Sequence, residues 1–224
     1  MKVLVYLAHP RPDRSEVNAT LFRQASNAGH VTSVDLYATY PSMDIDIDAE
    51  QRRLVEHDVI VFQHPFYWYS CPALLKEWID LVLEYGFAYG PQGQALKGKQ
   101  VMHVISCGAA RHAYTQAGYK GVTVPELLRP FKATWQLCQV EWLPPLVLFD
   151  AGRAEADGRL DEHCQDYRAL LDLLHHTPLD AAQLSRHALF NDYLSDAPFD
   201  TSHETSSAAS LASSPSFHSP RGRN

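Results

Sequence analysis

The sequence predicts a doubly wound α/β domain, a parallel sheet with helices on both faces. Three observations predict it. Over the first 176 residues, short β-branched or aromatic runs alternate with segments of helical period. Runs such as Val59-Ile60-Val61-Phe62 are continuously apolar, as strands buried on both faces are. The strands are separated by helix-length crossovers, which parallel pairing needs.

The elements follow in order. Val3-Leu4-Val5-Tyr6-Leu7 lies in a first strand over residues 2–7, and a helical period follows over 15–28. A second strand is expected over 31–37 and a helix over 48–57, with Asp48 as its N-cap. The third strand spans 59–63. The helix at 72–85 is the clearest: Pro72 suits a first turn, and Leu74, Leu75, Trp78, Leu81 and Val82 recur at three- and four-residue steps. A fourth strand over 100–106, a helix over 124–139, a fifth strand over 143–149 and a helix over 154–176 complete the pattern.

Composition shifts after residue 176, so a boundary is placed near Thr177-Pro178. Leu184, Leu189, Phe190 and Leu194 form one face of a short helix that docks on the body or on a partner. Between Ser202 and Pro220, eight of nineteen residues are serine, too polar to offset the entropy of ordering, and disorder is expected there.

The chain has 224 residues, 46% hydrophobic, with a net charge of -7. The acidity gives no basic footprint for nucleic acid. No run reaches the roughly 20 apolar residues of a membrane span, and the first strand is too short for a signal-peptide core. Cys71, Cys107, Cys138 and Cys164 are scattered without a CxxC pair, so reduced thiols are expected rather than disulfides or a metal site.

In such a fold ligands gather at the carboxyl ends of the strands. Three loops there carry unusual residues. The first, from Ala8 to Asn18, is neither a G-x-G-x-x-G turn nor a P-loop. It brings His9, Arg11, Arg14 and Ser15 to the start of a helix, whose free N–H groups and dipole suit a phosphate. Ser15 reads equally as a helix cap and His9 as a surface residue. The second loop holds Phe66-Tyr67-Trp68-Tyr69, four aromatics that suit stacking on a planar ligand, or a hydrophobic plug or subunit interface. The third, Ser106-Cys107-Gly108-Ala109, offers small residues and the amides of Cys107, Gly108 and Ala109 for a heterocycle edge. Cys107 as a nucleophile lacks a legible Cys-His-Asn arrangement. Together the loops describe a site for a phosphorylated planar heterocycle, and flavin mononucleotide (FMN) fits it.

Several segments carry a family likeness: Ala8-His9-Pro10, Ile45-Asp46-Ile47, Gln63-His64-Pro65, the run from Tyr69-Ser70-Cys71-Pro72 to Trp78-Ile79-Asp80, Gly86-Phe87-Ala88-Tyr89-Gly90 and Trp142-Leu143-Pro144-Pro145. They resemble the flavodoxin-like NAD(P)H quinone oxidoreductases, and among these the ancillary subunits of bacterial glutathione-regulated potassium-efflux antiporters. The likeness covers residues 1–176 and has no counterpart for the tail. It implies a five-stranded sheet in the order 2-1-3-4-5 and a homodimer. FMN would be bound through His9, Ser15, Glu16, Val17 and Asn18, through Phe66, Tyr67, Trp68 and Tyr69, and through Ser106, Cys107, Gly108 and Ala109. It also implies NAD(P)H as electron donor, a quinone as acceptor, and catalytic roles at Tyr114 and Lys120. Two departures stand out: the family's usual Thr-Thr-Gly-Gly reads Ser106-Cys107-Gly108-Ala109, and its His position falls on Lys120. The antiporter subunits also act as regulators, which implies a cytoplasmic protein held peripherally at the inner membrane by its partner. A regulator with little or no flavin chemistry is the alternative. The acidic run Asp44 to Glu50 reads either as a contact for a basic partner or as a solvated helix entry.

Overall fold

The computed structural model describes residues 1–196. Serine-rich residues 202–220, expected to be disordered, lie outside them. The chain order is β1 (Val3–Leu7), α1 (Glu16–Asn27), β2 (Val31–Asp35), α2 (Leu36–Thr39), α3 (Ile47–Glu56), β3 (Val59–Pro65), α4 (Ala73–Val82), β4 (Gln100–Ser106), α5 (Val124–Leu127), α6 (Arg129–Leu137), β5 (Glu141–Trp142), β6 (Leu146–Leu148), α7 (Arg159–His176), α8 (Ala181–Leu184) and α9 (Phe190–Asp196).

All strand pairs are parallel, in the order β2-β1-β3-β4-β5, with β6 also on β4. The expected doubly wound order is therefore present. The strand alternation feeds two cores. Leu4, Tyr6, Ile60, Phe62, Val101 and Ile105 face Leu54, Trp78 and Trp135 on one side. Val3, Val5, Val59, Val61, Met102 and Val104 face Leu21, Tyr167 and Leu170 on the other. Neither face of the central strands meets water, which explains their lack of polar alternation.

Local chemistry moved several boundaries. The second helix begins at Ile47 because Asp46, not Asp48, accepts the Ala49 amide at 2.9 Å. The second strand stops at Asp35, whose carboxylate caps the one-turn helix after it. The helix expected over 124–139 breaks at Leu128 into α5 and α6, each with a proline in its first turn. The strand expected over 143–149 is confined to β6, and a separate short strand, β5, precedes Pro144-Pro145, since proline lacks the N–H a ladder uses.

Packing does not end at Thr177-Pro178. Leu179, Leu184, Leu189 and Phe190 are buried in the two cores, so the described body runs on through α9.

Candidate functional site

The carboxyl edge of the sheet brings the three predicted loops together, and Asn18 ties two of them. Ser15 caps α1 by accepting the Asn18 amide at 3.2 Å. The Asn18 carboxamide nitrogen donates to Ser15 Oγ (3.2 Å) and to Ser106 Oγ (2.9 Å), joining the first loop to the third. Gln63 Nε2 donates to the Asn18 carbonyl at 2.7 Å and fixes the helix start against β3. Of the first-turn amides, those of Glu16 and Val17 have no partner among the described residues. They point from the positive end of a three-turn helix, the arrangement that suits an anion. Val17 contributes only its backbone, because its side chain is in the core.

His9 is not a surface residue; it is 6% exposed. Its Nδ1 accepts the Arg11 amide at 3.1 Å, which leaves the neutral ring's proton on Nε2, 3.4 Å from the Tyr67 hydroxyl. Burial holds the imidazole below its usual range, so it is neutral at pH 7. Arg11 pairs with Asp13 at the surface of the first loop.

The second loop stands out from the surface. Phe66 is partly buried and its amide donates to the Ser106 carbonyl at 2.9 Å, anchoring the loop to β4. Tyr67 and Tyr69 are exposed and Trp68 is 92% exposed. Trp68 (φ 47°) and Tyr69 (φ 64°) are consecutive left-handed residues, a conformation unfavourable for bulky side chains. The backbone thus turns the aromatic rings outward instead of folding them into the core.

In the third loop the Cys107 amide is already used: it donates to the Leu148 carbonyl at 2.8 Å, so it is not available to a heterocycle. Sequence could not show this, because the partner lies on β6. The amides of Gly108 and Ala109 have no partner among the described residues. Burial pushes the Cys107 thiol up to about 12, which keeps it protonated and excludes a thiolate nucleophile. Beyond the loop, burial and the neighbouring Cys107 raise the Tyr114 phenol. The Lys120 ammonium lies 4.8 Å from the Tyr69 ring centroid, 5.0 Å from that of Tyr114 and 5.1 Å from that of Tyr119. It also donates to the Tyr69 hydroxyl at 3.3 Å. Tyr119, 78% exposed, is a member of this cluster that spacing did not signal. The loops form an open shelf. A cavity of about 530 Å³ adjoins the third loop at Ala110 and Arg111, and another of about 620 Å³ lies away from the loops, beside Met1 and His175.

Anion-suited amides at one end, an aromatic wall along the middle and two free amides at the far side fit a phosphorylated planar heterocycle. No helix among the described residues is long and apolar enough to cross a membrane.

Comparison with known proteins identifies the family. A family model described as flavodoxin-like fold matches residues 1–171. The glutathione-regulated potassium-efflux system ancillary protein KefG of Erwinia tasmaniensis is 48% identical over 156 residues, 70% of this chain and 85% of that protein. The general stress protein 14 of Treponema denticola, solved in complex with FMN, superposes with a TM-score of 0.73 at 39% identity, over 77% of this chain and 98% of that one. An NADPH-quinone reductase from P. pentosaceus superposes with a TM-score of 0.68 at 33% identity, over 75% and 96%.

Proposed function

The chain belongs to the flavodoxin-like fold family, and from that premise we propose that it is an FMN-dependent NAD(P)H:quinone oxidoreductase that also activates a glutathione-regulated potassium/proton efflux antiporter. The observation that carries the reading is the convergence of unpartnered amides at Glu16, Val17, Gly108 and Ala109 with the outward aromatic wall of Tyr67, Trp68 and Tyr69, anchored through Phe66.

In this reading Glu16 and Val17 amides, the Ser15 hydroxyl, Asn18 and His9 hold the phosphate end. Phe66, Tyr67, Trp68 and Tyr69 stack along the ring system. Gly108 and Ala109 donate to its polar edge, while Ser106 and Cys107 hold that loop to Asn18 and β6. Tyr114 keeps its phenolic proton and offers it as a donor. Lys120 places a positive charge where negative charge gathers on reduction. When bound, the flavin supplies two-electron hydride chemistry between NAD(P)H and a quinone. The rest is orientation and electrostatics by the chain itself. Residues 1–176 form the flavin-binding unit, with the described part of the 177–224 extension docked on it. The protein acts as a homodimer at the cytoplasmic face of the inner membrane, held there by its antiporter.

One observation favours a second reading, a regulator with weak flavin binding: the Cys107 amide is consumed within the fold, leaving one fewer donor for the ring edge. The visible spectrum of the purified protein separates the two. Flavin absorbance bleached by NAD(P)H and restored by a quinone supports the enzyme. A colourless protein that takes up no FMN in titration overturns it and leaves the regulator. Potassium efflux measured with and without this protein tests the activating role.

A further inference from the structure

The outer edge of β6 is closed by a segment that lies beyond the family match at residue 171. The Phe190 amide donates to the Pro145 carbonyl at 2.9 Å. The Val147 amide donates to Asn191 Oδ1 at 2.9 Å, and Asn191 Nδ2 donates to the Val147 carbonyl at 3.1 Å. These are the groups that alternate residues of an edge strand offer to a neighbour. One carboxamide and one amide stand in for a further strand, and buried Leu189 and Phe190 hold them in place.

The next residue reaches the other way. Asp192 accepts from the Arg111 guanidinium. Arg111 opens the single turn Arg111–Ala113, which lies between Gly108-Ala109 and Tyr114. The Tyr114 amide donates to the Arg111 carbonyl at 3.0 Å, and the Lys120 amide donates to the Ala113 carbonyl at 3.4 Å. A movement of this turn therefore moves the third-loop end of the candidate site, with Gly108-Ala109 on one side of it and Tyr114 and Lys120 on the other.

We infer that Asn191 and Asp192 are positioning residues contributed by the extension: Asn191 fixes β6, and Asp192, through Arg111, fixes the loop carrying Gly108, Ala109, Tyr114 and Lys120. The proposal rests on the flavin reading only for its ligand readout. Truncation after residue 176 would remove four side chains that are buried among the described residues and confuse loss of fold with loss of position, so point variants of the full chain are the test.

Arg111→Asp, Asp192→Arg and the double exchange are compared by amide hydrogen exchange across residues 108–114 without flavin, and by FMN titration. Each single variant is expected to speed exchange at Ala113 and Tyr114 and to weaken FMN binding about three- to fivefold, in line with a partly exposed ion pair. The double exchange restores both. Asn191→Ala speeds exchange at Val147 about tenfold. Wild-type exchange rates in the singles, or a double exchange no better than either, overturn the proposal. Failure of the wild-type protein to take up FMN overturns the flavin reading instead, and the exchange rates still decide the positioning role.

Discussion

Two clusters in this molecule are built from the same residue types around opposite charges. On one face of the sheet the Glu50 carboxylate is fully buried and accepts from Tyr6, Tyr40 (2.6 Å), Trp78 Nε1 (3.0 Å) and Arg53. At the carboxyl edge the Lys120 ammonium sits over Tyr69, Tyr114 and Tyr119, beside a Trp68 that is almost wholly exposed. In the first cluster the aromatic groups serve as hydrogen-bond donors and every partner is satisfied. In the second they present faces and leave amides open. Buried charge must be matched within the fold, whereas a ligand site has to keep some capacity unspent.

The sharpest break in that contrast is Glu50→Ala, which strands the Arg53 guanidinium and three further donors. It should lower unfolding free energy by about 3–5 kcal/mol in chemical denaturation, with the FMN loops unchanged in the folded fraction. Acid comes next, and its largest effect falls on buried histidines of the interior. Burial lowers His64 from 6.5 to about 4, and His103, hydrogen-bonded to it at 2.9 Å, is lowered as well. The unfolded chain binds protons that the folded chain refuses, so this stability is full above pH 6.5 and is lost as pH falls toward about 4. For His64 alone the loss is on the order of 3 kcal/mol, readable as a falling denaturation midpoint over that window.

The exposed cluster should respond in binding and not in stability. Trp68→Ala is expected to weaken FMN by about tenfold while leaving the thermal midpoint and antiporter activation near wild type. An unfolded variant, or lost activation with FMN intact, would merge the two roles that the proposal separates. Lys120→Met should change stability by less than about 1 kcal/mol, since its cation–π contacts are at the surface, and should lower the flavin reduction potential measurably. An unchanged potential would remove Lys120 from the charge-stabilising role.

The alternation of strands with helices and the three loops were legible because both rest on local patterns: apolar runs, crossover lengths and polar or aromatic residues where strands end. The strand order came only with the family likeness. What escaped depended on partners far along the chain. Cys107 reads as an open amide until Leu148 is laid beside it. Asn191 reads as an ordinary polar residue until its carboxamide meets Val147, forty-four positions away. His9 looked like a surface residue until the first loop folded its ring against Tyr67. Even the cap of α3 turned on a choice between two aspartates two residues apart, which composition alone does not separate.

The left-handed pair at Trp68 and Tyr69 has a consequence for anyone wishing to make this protein hardier. Glycine at either position would relieve roughly 1–2 kcal/mol of backbone cost, and a thermostability screen would select it. The same substitution would delete a ring from the aromatic wall. Selection for heat resistance and selection for ligand capture would therefore drive these two codons in opposite directions, so laboratory evolution under one pressure should erode the other.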